Sequence, residues 1–498
     1  MNQGDAARRL GVGAALLLAL STGCPTDVED DDISTDDDDD VTGDDDVSDD
    51  DSTGDDDTTE DPAAVRLMLH GGGAEEDEVF VRLVEAAGYG HMVTLGAVPD
   101  PEEYDDLLFW DGYFVELGAS SAETVNTETA EDAADPDAVA AIDAAAGIFI
   151  RGGDQARYLE HWRGTPLHDA LHTAWERGAV IGGSSAGCAL LGERVYDASV
   201  GSVAAYEALL DPFDSYLTFS DDFLPELLPD VITDTHFTER GRLGRLIVFV
   251  ERWKLDGHWA PLGIGVDPMT ALFVSADGTA EVVGKGSVTL LSSAHSTATL
   301  TPEVAPDIRG LRLWQLPAGY RVDLESAVSA SDPVLERPKY VQPYKGGPLV
   351  GQFQEVAING DNAAHRAYGE WQLLGLDDDP DAWRDGALAL SQGESRLPGV
   401  LLLTALYEDS DYFENHLGGL MWALSQRPGT IGIGVDIELT AVTGEPHQLT
   451  PGFDSYALVV NSGDAWYAGA PPDGGWQTAA LERATVDIVG PLQSWDGS

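Results

Sequence analysis

One short span combines residues that could carry out acyl transfer. Gly183-Ser184-Ser185-Ala186-Gly187 sets a serine two positions from a glycine on either side, between an apolar run at Ala179–Ile181 and a helical start at Ala189–Leu191. Glycines at those offsets let a strand turn sharply into a helix and lift the Ser185 hydroxyl above the sheet edge. The amide of Ala186 then faces a developing oxyanion. The same pattern also suits a phosphate cradle or a plain connector. Ser184 has the wrong offset to the glycines, and Cys188, one turn into the helix, reads as a small buried side chain.

A serine needs a base, and His236 stands apart from the other ten histidines because it ends a strand and precedes a helix, with Arg240, Arg242 and Arg245 alongside. Three guanidinium groups within six positions are unusual in a chain with only 26 basic residues. Guanidinium forks fit carboxylates, so the cluster predicts recognition of an acidic group. Pairing with the abundant surface acids is the alternative.

These groups need a scaffold that brings strand ends together. Val65–Leu69 reads as a buried strand running into His70-Gly71-Gly72-Gly73, Gly147–Ile150 runs into Arg151-Gly152-Gly153-Asp154-Gln155, and Ala179–Ile181 is a third. With helical stretches between them, they predict an α/β fold.

Composition narrows the class. The 498 residues are 43% hydrophobic, enough for one or more substantial cores, and carry 89 acids against 26 bases for a formal charge of -63. Four lysines and no basic stripe argue against nucleic acid as a partner. Two cysteines cannot staple a disulfide scaffold. Asp27–Asp61 alone holds 21 acids and no base, leaving 67 acids and 24 bases from Pro62 onward.

The first 24 residues read as an export signal: Arg8 and Arg9, an apolar run Val12–Leu20 too short to span a bilayer, then Ser21-Thr22-Gly23-Cys24. Small residues before a cysteine resemble the lipobox of bacterial lipoproteins, which implies that Cys24 is lipidated. Ser21 stands where leucine is more usual. The expected location is a periplasmic or cell-surface membrane anchor. Residues 25–61 read as a disordered, self-repelling spacer; their Asp blocks lack the spacing of a calcium loop.

Four motifs in order resemble the cyanophycinases, serine exopeptidases of the family that includes aspartyl dipeptidase: GGDQ at Gly152–Gln155, GSSAG at Gly183–Gly187, DTHFTERGRLGRL at Asp234–Leu246 and GIGVDPMTAL at Gly263–Leu272. The resemblance covers about Val65 to Ala330. It implies a class I glutamine amidotransferase-like fold: a three-layer, mostly parallel sheet with helices on both faces. It implies Ser185 as nucleophile, His236 as base, and the amides of Gly153 and Ala186 as oxyanion hole. Gln155, Asp234, Thr235, Arg240, Arg242 and Arg245 fall where the family places substrate-binding side chains, although Thr235 replaces a common glutamine. Family members take the third triad acid from between serine and histidine, so Glu207 is expected there, then Asp197, then Glu193. The implied substrate is cyanophycin, a poly-aspartate with arginine on its side chains, trimmed to β-Asp-Arg. No cofactor or metal is implied.

The resemblance implies a peptidase domain at 62–332; Pro333, Pro338, Pro343 and Pro348 read as a linker over 333–348, which leaves a C-terminal α/β domain at 349–498. That last segment echoes the first: Gly263–Asp267 recurs as Gly432–Asp436, Leu243–Leu246 as Leu417–Leu420, and Leu228–Val231 as Leu397–Val400. A degenerate, noncatalytic partial repeat is expected. A homodimer is the expected assembly if there is one. Two rivals remain: an α/β-hydrolase esterase, from HGGG with GxSxG, and a noncatalytic lipoprotein that binds acidic ligands.

Overall fold

The computed structural model describes residues 64–99 and 101–329, and interrupted stretches between 332 and 495. The signal segment with Cys24, the spacer 25–61 and part of the linker 333–348 lie outside the described residues, all of which belong to the compact unit Thr59–Ser498.

Alternation along short apolar runs builds the first sheet. β1 (Val65–His70), β2 (His91–Gly96), β3 (Ser121–Asn126), β4 (Gly147–Ile150) and β5 (Val180–Ser184) pair in parallel in the order β1-β5-β4-β2-β3. Leu67, Leu69, Val93, Leu95, Ile148 and Ile150 enter one buried cluster; Met68, Met92 and Phe149, one position out of phase, enter another. The first cluster is closed by α3 (Pro136–Ala144), α4 (Gln155–Trp162) and α5 (Pro166–Glu176), the second by α1 (Asp77–Ala86) and α2 (Pro101–Glu116). These helices start where the sequence caps them. Asp135, Asp154 and Thr165 each accept a backbone N–H of the first turn, and proline opens α3 and α5.

On the other side of β1 the strands turn antiparallel, through β10 (Thr270–Ser275), β11 (Thr279–Gly284), β15 (Arg321–Asp323) and β16 (Leu335–Glu336), with α9 (Leu324–Val328) following β15. The mostly parallel sheet expected from the resemblance is thus parallel only in its nucleophile half. Only residues 276–278 separate β10 from β11, and a link that short can close a hairpin but not a crossover.

The second sheet has an order that reads alike from both ends. From one edge run β7 (Phe219–Asp221), β6 (Arg194–Tyr196), β8 (Val231–Asp234), β9 (Leu262–Val266), β12 (Ser287–Ser292) and β14 (Val304–Pro317), with β13 (Thr297–Thr301) also on β14. From the other run β20 (Ala389–Gln392), β19 (Gly369–Leu374), β21 (Leu397–Thr404), β22 (Ile431–Val435), β25 (Ala457–Asn461) and β27 (Leu481–Val489), and the two series meet where β27 pairs with β14. In each series the edge strand is antiparallel, the next three are parallel and the last two are antiparallel. The segment 349–498 therefore continues the sheet of 62–332. Two small sheets remain among the described residues: β17 (Val341–Pro343) pairs with β26 (Trp466–Ala468), and β18 (Val356–Asn359), β23 (Glu438–Thr443) and β24 (Gln448–Leu449) form a three-stranded one.

The recurring GIGVD sits at matching places, in β9 and β22. A Cβ on Gly263 would come within 3.0 Å of Leu246 and Val250 of α8 (Leu243–Leu255), and one on Gly432 within 3.0 Å of Leu420 and Leu424 of α10 (Leu417–Gln426). Both glycines let a helix lie close on its strand.

Candidate active site

β5 ends at Ser184, and the chain turns at once into α6 (Ala186–Ala189), which leaves Ser185 at φ 50° and ψ -114°. Such a left-handed backbone is costly for a residue with a side chain and persists only where its surroundings impose it. Here they do. A Cβ on Gly183 would lie 2.5 Å from the Gly187 carbonyl oxygen, and one on Gly187 would lie 2.1 Å from that of Ile150, so neither flank can carry a side chain. The Ser185 amide donates to the His70 carbonyl at 3.0 Å, tying the turn to β1.

β8 delivers the imidazole. His236 follows Asp234 by two residues, itself at φ 46°, and its amide donates to the Gly71 carbonyl at 2.8 Å. Its Nε2 lies 3.1 Å from Ser185 Oγ and its Nδ1 2.7 Å from Glu239 Oε2, a continuous series of hydroxyl, imidazole and carboxylate. Thr238 fixes the loop between them: its amide and hydroxyl both donate to Asp267 Oδ1, at 3.0 and 2.7 Å, while Asp267 Oδ2 accepts from the amide and hydroxyl of Ser287. Burial lowers the His236 pKa, and Arg240 and Arg242 lower it further, outweighing the opposing pull of Glu239. The ring is therefore neutral at neutral pH, the state in which Nε2 can accept a proton.

The acids expected beside His236 are elsewhere. Glu207 caps α7 (Ala205–Leu210), accepting the Ala204 amide at 2.7 Å; Asp197 accepts from Ser199, Thr218 and Ser220; Glu193 accepts the Asp230 amide. Glu239 replaces them because the loop after β8 folds back within one turn, which brings the side chain three positions on to face the ring. An acid at that spacing from the histidine was the available signal. Asp267, which anchors the loop, lay within the GIGVD motif and was also passed over.

The remaining expected residues gather on one side of Ser185. Gly153, Gln155, Ala186, Thr235, Arg240 and Arg242 line a cavity of about 320 Å³ together with Asp234 and Arg245. Two of these guanidinium groups are held by a buried carboxylate. Arg245 grips Asp234 through two bonds, Nε to Oδ2 at 2.7 Å and Nη2 to Oδ1 at 2.5 Å, and Arg242 Nη1 donates to the Thr235 carbonyl at 2.7 Å and to Asp234 Oδ1 at 3.3 Å. Burial alone would raise the Asp234 pKa, but Arg245 and Arg242 hold it below the usual carboxylate range. Three guanidinium groups against two carboxylates, Asp234 and Asp154, leave the cavity wall with an excess of positive charge. Gln155 Nε2 donates to the Tyr196 carbonyl at 3.2 Å.

His70, from the HGGG run, is buried behind the site with its Nδ1 2.8 Å from Ser184 Oγ and 3.3 Å from the Gly72 amide. Burial, and the charge His236 carries when protonated, push its pKa down to about 3, so it is neutral. Among the described residues, Glu193, Asp230 and His258 bring potential metal-ligand atoms within 4.8 Å of one another, at the opposite end of β8 from His236.

A hydroxyl, an imidazole and a carboxylate in hydrogen-bonded series at the end of a parallel ladder have the geometry of a serine hydrolase. The family model for Peptidase family S51 matches residues 110–278. A cyanophycinase of Synechococcus elongatus is 31% identical over 227 residues, which are 44% of this chain and 66% of that protein. One from a Nostoc species is 31% identical over 216 residues, 42% of this chain and 68% of that protein. A solved peptidase from an acI-B1 actinobacterium shares 19% identity at a TM-score of 0.37, covering 53% of this chain and 98% of that one. The chain belongs to peptidase family S51.

Proposed function

We propose that this chain is a cyanophycinase-like serine exopeptidase that releases β-Asp-Arg dipeptides from cyanophycin or a related aspartyl polymer. The observation that carries the reading is the series from Ser185 Oγ through His236 to Glu239. Ser185 Oγ attacks the scissile carbonyl as His236 Nε2 takes its proton, and the amides of Gly153 and Ala186 hold the oxyanion. His236 then returns the proton to the leaving amine, whose C–N bond breaks. Water, deprotonated by His236, attacks the acyl-serine, releases the acid and restores the hydroxyl. Glu239 holds the ring with Nε2 toward the serine and stabilises it while charged. The excess of guanidinium over carboxylate in the adjoining cavity suits a substrate carboxylate held by Arg240, Arg242 and Arg245, with Asp234 positioning the last two. Thr235, shorter than the glutamine common in relatives, leaves room for a different side chain there.

The test is incubation of the purified protein with insoluble cyanophycin, followed by mass spectrometry of the soluble fraction. Free β-Asp-Arg is the expected product. Cleavage of α-aspartyl dipeptides with the polymer left intact would instead favour an aspartyl dipeptidase, and faster turnover of simple esters than of either would favour an esterase.

The export signal and lipobox-like cysteine support a second element of the proposal, a periplasmic or cell-surface enzyme anchored through Cys24 and held off the lipid by the acidic spacer. Expressed in a bacterial host, Cys24→Ser is expected to move the protein from the membrane pellet to the soluble fraction. Equal pelleting of both forms would count against the anchor.

The mirrored strand order and the recurrent Gly263 and Gly432 packing support reading the C-terminal third as a degenerate copy of the β6–β14 half. It has no catalytic role in this proposal, since Leu403 occupies the register place of Asp234: β8 pairs Asp234 with Gly265 as β21 pairs Leu403 with Gly434.

A further inference from the structure

Ser185 lies between two cavities, and only one has been given a role. The second, of about 420 Å³, is lined by Gly72, Gly73, Glu75, Phe109 and Arg151 among others. We propose that this cavity receives the leaving portion of the substrate and that Arg151 holds a free carboxylate of that portion there. The inference rests on the serine-peptidase reading and extends it.

Side follows from proton transfer. The group that accepts a proton from His236 Nε2 is the leaving amine, so the leaving portion must extend from that edge of the ring. Gly72 stands at that edge, at φ +91°, and a Cβ there would lie 2.4 Å from Nε2. Its missing side chain opens the approach, and Gly72 lines the second cavity. The amides assigned to the oxyanion, and all three clustered arginines, line the first.

The carboxylate follows from Arg151. In a chain with 89 acids, its Nη1 is buried and has no hydrogen-bond partner among the described residues. Leaving a guanidinium N–H both desolvated and unpaired is expensive, and an incoming carboxylate removes that cost with a charge-assisted bond. The backbone from which the side chain projects is fixed. Arg151 N donates to the Leu95 carbonyl at 3.1 Å, and its carbonyl accepts from the Tyr158 hydroxyl at 3.0 Å. On the same wall, exposed Glu75 and half-exposed Phe109 offer a carboxylate and an aromatic face to a cationic side chain. A leaving residue with both a free carboxylate and a cation matches this wall.

The experiment compares a soluble β-aspartyl-arginine-ending peptide with its C-terminal amide. For the wild-type chain, kcat/KM is expected to favour the free acid by about ten- to a hundredfold, the range of one charge-assisted hydrogen bond. In Arg151→Gln that preference should fall to near one, and Arg151→Lys should keep part of it. Equal losses on acid and amide in Arg151→Gln, or no preference in the wild type, would overturn the assignment. If the wild type cleaves neither peptide, the peptidase reading fails by itself, and calorimetric binding of the acid and amide dipeptides to Ser185→Ala still decides the subsite. Tighter binding of the acid, abolished by adding Arg151→Gln, supports it; equal binding of the two refutes it.

Discussion

Ser185→Ala is expected to lower kcat on a soluble aspartyl peptide by about 10⁴- to 10⁶-fold, the range seen when a nucleophile is lost from a serine-histidine-acid series. Residual turnover above that of water would come from the oxyanion amides and from substrate binding alone. The fold should survive. Alanine keeps the Cβ that already sits at φ 50°, and the side-chain bond it gives up is the one to His236 Nε2. The check is steady-state kinetics alongside thermal unfolding of both proteins. A variant with an unchanged midpoint that kept more than about a tenth of the activity would place the nucleophile elsewhere.

Glu239→Gln is expected to cost about 10²- to 10⁴-fold in kcat, because an amide can occupy the same place yet cannot stabilise the imidazolium or enforce its tautomer. It should also move the pH profile in a defined direction. In the wild type the His236 pKa lies below its ordinary 6.5, chiefly through burial, so activity should persist below pH 6.5 before falling as the ring protonates. Glu239 pulls that pKa upward by hydrogen bond and charge. Removing it must shift the acid limb to still lower pH. The same lowered pKa has a stability consequence: unfolded His236 binds its proton first, so this contribution is complete above pH 6.5 and is lost as the pH falls below it. A Glu239→Gln profile superimposable on that of the wild type, in height and in limb, would remove Glu239 from the series.

Why some of this was legible in the sequence and some was not comes down to range. Ser185 could be read because Gly183 and Gly187 are forced by backbone contacts only a few atoms away, and those leave a fixed spacing. Gly263 and Gly432 could be matched for a similar reason: each is dictated by one helix lying on one strand. Glu239 was missed although it is three positions from His236, because its role depends on how tightly one loop turns, which spacing alone does not state. Arg242 and Arg245 were read with Arg240 as three equal hands for a substrate. Among 89 acids the sequence could not tell that Asp234 takes hold of two of them, since the choice is made by burial: a charge removed from water needs a partner removed with it. The antiparallel half of the first sheet was hidden behind the parallel motif, because hairpin strands such as β10 and β11 carry no glycine cluster to announce them.

The pairing of β14 with β27 also bears on how the protein is made. β14 is a strand of 14 residues, and the strand that covers its outer edge begins at Leu481, roughly 160 residues beyond Pro317. At ~5–20 residues per second, an emerging chain waits on the order of 10–30 s between the two. Throughout that interval the serine, the histidine and their glutamate have all been synthesised, yet a long strand edge stays open to any passing chain. Completion of the catalytic sheet thus depends on a distant contact formed late, of the kind that slows folding and recruits chaperones.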